Sequence, residues 1–228
     1  MTVSTKAQIE FTPPGFNLEE LFKVQAKSWK ALEEVALEIK PGITEAEGVR
    51  LITQKLKDLG VSKSWHHPKF RIGENTVLSF SAPTSETRVL TDDDLFFIDL
   101  GPVFTGDDGI EYEGDVGKTF SLSESPDHQK LIDASEQLFW MACENWRNAN
   151  SSGQEIYRAL TDLATNVFGV DLKPEGDGHR IGLFPHKPVF SGSLASIDFK
   201  PASGLWVVEI HVVDPRTNIG AFYEDILR

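Results

Sequence analysis

The sequence predicts an α+β domain, an antiparallel sheet curved around one face with helices on its outer side. Two observations lead there. Stretches near 95–104 and 113–122 and across the last third alternate as strands do, and both faces of the best of them are largely apolar, so the sheet must be covered on both sides. Helical stretches come in two pairs, each followed by strands, which gives a coarse two-fold organisation.

Residues 1–17 are polar, carry Pro13 and Pro14, and are expected to form a loosely attached N-terminal arm; residues 18–228 form one domain. From Leu18 to about Lys40 an amphipathic helix presents Leu21, Phe22, Val24, Trp29, Leu32, Val35, Ala36 and Ile39 on its apolar stripe. Pro41-Gly42 ends it, and Thr44 with Glu47 makes a capping box for a second helix that runs to about Leu59-Gly60. A connection over 61–72 contains Trp65, His66, His67 and Pro68, and its two histidines are expected to be exposed. Strands are predicted near 75–80, 95–104 and 113–122. Asp92-Asp93-Asp94 reads as a solvated turn, without the glycine and spacing of a calcium loop. Helices follow over about 127–148, with Leu131, Ile132, Leu138, Phe139 and Met141, and about 153–168, with Ile156, Leu160, Leu163 and Val167. Cys143, in the first of these, is expected to be a buried small hydrophobe. In the closing strands Val207, Glu209, His211 and Val213 share one face, as do Phe222, Glu224 and Ile226.

Composition narrows the function. With 228 residues, 40% hydrophobic and 25% charged, the chain is long enough for a substantial core. A net charge of −13 argues against a nucleic-acid footprint and against an anionic membrane surface. One cysteine excludes an internal disulfide. The first 20 residues carry no secretory pattern and no apolar run reaches membrane-spanning length, so a cytoplasmic location is expected.

The chemistry lies in five metal-ligand types set in or beside apolar, strand-like stretches: Asp99 in LFFIDLG, Asp115 in EGDVGKTF, His179 in GDGHRIGLF, Glu209 in LWVVEIHVV and Glu224 in AFYEDIL. A carboxylate in such a run is buried or half-buried, which is costly unless it is paired or metal-bound. Lys118 and Arg180 are the only lysine or arginine in those stretches. Two divalent cations would supply the missing positive charge, and paired metals are a known means of hydrolysis. Between Asp99 and Asp115, Gly101, Pro102, Gly106 and Gly109 read as a hairpin with a long tip, so two antiparallel strands bring these aspartates together.

With these segments in order, the chain resembles the methionine aminopeptidase, aminopeptidase P and prolidase family of metallopeptidases, which has the pita-bread fold. The matching segments are IKPGITEAE at 39–47, IGENTVLSF at 72–80, FFIDLGPVF at 96–104, EGDVGKTF at 113–120, GHRIGLFPHKP at 178–188, VVEI at 207–210 and AFYEDIL at 221–227. The resemblance implies that Asp99 chelates one metal, His179 and Glu209 bind the other, and Asp115 and Glu224 bridge them. The hard donor set implies manganese first, with cobalt, iron or zinc as alternatives, and no thiolate suggests a structural zinc site. Glu209 would also shuttle a proton, and His186 would contact the substrate carbonyl.

The surroundings depart from the family. Its catalytic histidine after IGEN is Phe80 here, the second histidine of the proline-specific relatives is Glu175, the acidic residue after His186 is Lys187, and Glu209 is followed by Ile210 rather than proline. Phe80 and Glu175, with His211 on the Glu209 face, are therefore expected to line a rebuilt substrate pocket; His66 or His67 could replace the missing imidazole, although a pair of loop histidines is usually exposed. An acidic pocket favours a substrate with a free amine, so weak cleavage of Xaa-Pro dipeptides is expected. The chain stops soon after Glu224, leaving that ligand either on a frayed strand or held by a partner subunit of a homodimer. Two functions remain. One is a metal-dependent hydrolase, an aminopeptidase acting on a small peptide or peptide-like amide. The other is a catalytically silent relative that binds a peptide or protein. Five intact ligand positions favour the hydrolase.

Overall fold

The computed structural model describes residues 5–61, 63–174 and 176–228. In chain order the elements are α1 (Lys6–Ile9), α2 (Leu18–Glu38), α3 (Glu45–Asp58), β1 (Lys63–Ser64), β2 (Lys69–Ile72), β3 (Leu95–Leu100), β4 (Pro102–Thr105), β5 (Glu111–Glu113), β6 (Val116–Ser121), α4 (Pro126–Ala149), α5 (Gly153–Leu163), β7 (Asp171–Leu172), β8 (His179–Arg180), β9 (Trp206–Asp214) and β10 (Ile219–Ile226). The helices start where side chains satisfy their first N–H groups. Asn17 accepts from the Glu19 N–H at 2.9 Å, and Thr44–Glu47 and Ser152–Glu155 form capping boxes.

The main sheet runs β2-β3-β6-β10-β9-β7, with β8 also paired to β9, and every pairing is antiparallel. A second sheet, β1-β4-β5, sits beside it. Phe96, Ile98 and Leu100 of β3 pack with Leu32, Val35 and Ile52 of α2 and α3. Val208, Ile210 and Val212 of β9, with Ala221 and Tyr223 of β10, pack with α4 and α5. Both helix pairs thus cover the face opposite Asp99, Glu209 and Glu224. A third apolar cluster, Leu21, Val24, Tyr112, Ile181, Val207 and Ile226, joins α2 to the ends of β9 and β10.

Several boundaries differ from the sequence expectations, each for a local reason. Residues 75–80 are not a strand. Gly73–Val77 is a 3-10 turn in which the Thr76 hydroxyl donates to the Gly73 carbonyl at 2.5 Å, a local bond that replaces a ladder bond. The stretch 95–104 divides at Gly101 into β3 and β4, which belong to different sheets. The stretch 113–122 divides at Gly114-Asp115 in the same way. The long tip between the aspartates is therefore a hairpin of its own, β4-β5. The helix from 153 ends at Leu163, and its last turn widens over Ala164–Phe168 before Gly169 at φ 67°. The connection 61–72 contains the short strands β1 and β2.

The arm is not loosely attached over its described part. Ile9 is buried in the main core. The Glu10 carboxylate accepts from the Ala202 N–H at 2.6 Å and the Trp206 indole at 2.9 Å, and the Arg180 guanidinium donates to the carbonyls of Ile9 and Phe11. Nor is Glu224 frayed: β10 is paired to β6 and β9, and Glu224 is buried. Cys143 is free and buried, as expected. Among the described residues no helix is long and apolar enough to cross a membrane.

Candidate metal centre

Strand register assembles the acids. Glu209 on β9 stands opposite Glu224 on β10, Glu224 is opposite Gly117 on β6, and Gly117 is opposite Asp99 on β3. Cross-strand partners share a face, so three carboxylates stand in one row over four adjacent strands. The fourth position in the row is a glycine. A Cβ on Gly117 would lie 2.9 Å from Glu224 Oε1 and 2.4 Å from the Phe222 ring, so the absence of a side chain there lets the acids approach. Asp115, two residues before Gly117, and His179 on β8 complete the set. All five predicted ligands line one open cleft.

Buried side chains from the helices fix the backbone beneath two of the acids. The Gln25 amide of α2 donates to the Asp115 carbonyl at 2.5 Å and accepts from the Asp115 N–H at 3.1 Å. The Tyr157 hydroxyl of α5 donates to the Glu209 carbonyl at 3.1 Å and accepts from its N–H at 3.2 Å. In both cases one polar side chain satisfies a donor and an acceptor that strand pairing leaves over. Nothing in the local sequence marks either residue, because both lie on otherwise ordinary helix faces.

Asp115 faces two groups with its two oxygens. Oδ2 is 2.7 Å from His179 Nε2, which is itself 3.5 Å from Glu209 Oε1. Oδ1 is 3.5 Å from His66 Nε2, which lies 3.3 Å from Asp99 Oδ1. Of the two adjacent histidines, His66 is not exposed: its ring is only 8% exposed and lies among the candidate ligands, while His67 is exposed as expected. Adjacent histidines in a connection give no sequence signal of which one turns inward. Trp65 decides it here, since its indole donates to the Gly114 carbonyl at 3.1 Å and its ring packs edge-on to those of His66 and His179.

The electrostatics are those of crowded buried acids. Burial pushes Asp99 up, and burial together with Asp115, Asp99 and Glu209 pushes Glu224 well above the usual carboxylate range. Glu209 is raised to about 7 by burial, against the pull of His179. Burial would also raise Asp115, but His179 and His66 outweigh it and hold Asp115 low. Burial opposes charge on the imidazoles, yet Asp99 and Asp115 hold His66 at about 9, and Asp115 holds His179 at about 10. Among the described residues, Asp115 Oδ1 and Oδ2 and Glu224 Oε1 are buried without a hydrogen-bond donor. The close imidazole nitrogens do not change this for neutral rings. His179 Nδ1 lies 2.8 Å from the Arg180 carbonyl, which can only accept, so the neutral ring keeps its proton there and turns a lone pair to Asp115. Opposed lone pairs need a second proton or a cation between them, and three buried acids and the half-buried Glu209 with imidazole suit divalent cations.

The other predicted residues are placed as follows. His186 is buried, stacks on His179 with ring centres 5.4 Å apart, and donates from Nδ1 to Glu113 Oε2 at 2.5 Å. Its backbone N–H donates to the other Glu113 oxygen at 3.0 Å. Sequence reading missed Glu113, although it lies only two residues before Asp115. His186 itself does not line the cleft around the acids. Phe80 is 57% exposed at the cleft, with its ring 5.6 Å from that of His66 and Lys69 Nζ 4.2 Å from its centre. His211 also lines the cleft. It donates from Nε2 to the Thr76 carbonyl at 2.7 Å, and burial lowers its pKa to about 4, so it is neutral. Glu175 lies outside the described residues.

The sequence profile of metallopeptidase family M24 matches residues 19–227. A Mycoplasma pneumoniae protein described as an Xaa-Pro aminopeptidase is 26% identical over 151 residues, covering 65% of this chain and 41% of that protein. Mitochondrial methionine aminopeptidase 1D of Dictyostelium discoideum is 28% identical over 183 residues, covering 76% of this chain and 42% of the relative. Among solved structures, a histidine variant of Escherichia coli aminopeptidase P matches with a TM-score of 0.73 over 95% of this chain and 53% of that one, at 18% identity. The chain therefore spans about two fifths of the length of these two relatives. The structural likeness identifies the α+β architecture as the pita-bread fold.

Proposed function

The chain belongs to metallopeptidase family M24, and we propose that it is a dinuclear metal-dependent hydrolase, an aminopeptidase taking a small peptide or peptide-like amide. The observation that carries this is the double role of Asp115, a buried carboxylate that turns one oxygen to His179 and the other to His66, each imidazole standing in turn beside a further acid, Glu209 and Asp99. Asp99, Asp115, His179, Glu209 and Glu224 would hold the two cations, with Asp115 and Glu224 between them. Manganese, ferrous iron, cobalt and zinc all suit carboxylates with imidazole. Bound there, divalent cations supply Lewis acidity that polarises the scissile carbonyl and acidifies water.

The chain's own residues do the rest. Glu209, beside His179 in the cleft, would accept a proton from the attacking water and return it to the leaving amine. His186, oriented through Nδ1 by Glu113 and stacked on His179 outside the cleft lining, would meet the substrate carbonyl oxygen through Nε2 only where the substrate extends beyond the cleft. Phe80 offers an apolar ring at the mouth where the relatives place a histidine.

The test is metal analysis of purified protein followed by an aminopeptide screen with and without manganese and cobalt. Two metal equivalents and hydrolysis that a chelator abolishes are expected. Purified protein that takes up no divalent metal under any of these conditions refutes the proposal. Metal uptake without turnover of any aminopeptide or amide favours a silent binding protein instead. Within the hydrolase, Xaa-Pro dipeptides are expected to be poor substrates because Phe80 stands in place of the family's polar contact.

A further inference from the structure

We infer that His66 is a ligand of the cation nearest Asp99, so that each of the two cations has an imidazole of its own. This rests on the dinuclear proposal above and goes beyond it, since the ordered set Asp99, Asp115, His179, Glu209, Glu224 contains a single imidazole.

Three observations carry the inference. The first is distance. His66 Nε2 is 3.3 Å from Asp99 Oδ1 and 3.5 Å from Asp115 Oδ1, and the three atoms lie within 4.8 Å of one another. Donors held about 2.1 Å from one ion are roughly 3.0–3.5 Å apart across the angles of octahedral or tetrahedral geometry. The second is that His66 repeats the arrangement of His179. Each ring directs Nδ1 to the carbonyl of the next residue, 2.9 Å to His67 and 2.8 Å to Arg180, and each directs Nε2 at Asp115. A carbonyl can only accept, so the neutral ring carries its proton on Nδ1 and offers the Nε2 lone pair, the usual tautomer and orientation of a ligating histidine. The third is a cradle. A Cβ on Gly101 would come within 2.2 Å of His66 Cδ2 and 2.5 Å of Trp65 Nε1, so the glycine where the chain passes from β3 to β4 makes room for the ring. Trp65 holds the other side, with ring centres 4.4 Å apart.

A second nitrogen donor has a chemical consequence. Imidazole shifts a carboxylate site towards ferrous iron, cobalt and zinc relative to manganese. The site beside Asp99 should therefore hold cobalt or zinc more tightly, relative to manganese, than a site of carboxylates and water alone.

The test uses cobalt. Chelator-treated wild-type protein is titrated with cobalt(II), followed by calorimetry and visible absorption, and the loaded protein is examined for paramagnetically shifted imidazole N–H resonances. Two cobalt equivalents and two such resonances, one from each ring, are expected. His66→Ala and the bulkier His66→Gln should each retain one site at wild-type affinity, weaken the other at least ten- to hundred-fold, and lose one shifted resonance. His67→Ala should change nothing. Wild-type protein that binds two equivalents but shows one shifted imidazole overturns the inference and leaves the dinuclear proposal standing, and this holds whether or not the variants fold. Variants with wild-type affinity and spectrum overturn it equally. Wild-type protein that takes up no cobalt overturns both.

Discussion

Single residues here act through the atoms they leave to others. Asp115 contributes both carboxylate oxygens to the cleft while Gln25 holds its backbone from behind. Asp115→Ala is therefore expected to abolish uptake of both metal equivalents, and adding metal should no longer raise the melting temperature. A wild-type metal isotherm for this variant would remove Asp115 from the bridging position. Glu113 plays a different part, since its two oxygens take both hydrogen bonds that His186 offers on that side. Glu113→Gln cannot accept both through its amide oxygen alone without turning its NH₂ towards a donor. It is expected to lower kcat by about tenfold or more, with metal content unchanged and KM little affected. Unchanged kcat would show that Glu113 serves stability alone.

At the scale of elements, the alternation of β9 and β10 correctly put Glu209 and His211 on one face and Glu224 on the matching face of its neighbour. What the alternation could not give is register, because a slip of one residue sends every side chain to the opposite face. Register puts Gly117 between Asp99 and Glu224, and this makes the glycine testable. Gly117→Ala is expected to cost about 1–3 kcal/mol, the usual range for overpacking, because the new methyl meets the Phe222 ring and the Glu224 carboxylate. It should show as a lower urea midpoint with an unchanged slope, accompanied by weaker metal binding. Equal stability and equal affinity would mean that the row has slack the distances do not suggest.

For the whole molecule, the cleft links metal, protons and stability. In chelator-treated protein the native state holds more protons than the unfolded chain above pH 6.5. His66 stands at about 9 and His179 at about 10, both above the unfolded 6.5, so their contribution is full below pH 6.5 and is lost as the pH rises through 9 to 10. Glu209 at about 7 and Glu224, raised further, act in the same direction. His211, held at about 4, acts oppositely but only below 6.5. The melting temperature of chelator-treated protein is therefore expected to fall between pH 6.5 and 9. Metal-loaded protein needs those ligands deprotonated, so its advantage should widen over the same range. Parallel melting curves with and without metal across that window would contradict this.

The sequence by itself determined the helix pairs, the two apolar faces of the central strands, and the residue types and order of the five candidate ligands. Each of these depends on local periodicity, capping chemistry, or a run of motifs readable in one dimension. It misjudged 75–80, where a threonine closes a local turn, and it favoured exposure for both histidines of the 61–72 connection while leaving open that one replaces a missing imidazole. Only the tertiary structure selected His66, Gln25, Tyr157 and Glu113, because their partners lie far along the chain or across a sheet boundary. Gln25 meets Asp115 from 90 residues away and Tyr157 meets Glu209 from 52. A helix face or a loop histidine looks the same in sequence whether or not a buried acid waits opposite it, and that juxtaposition is set by packing and strand register.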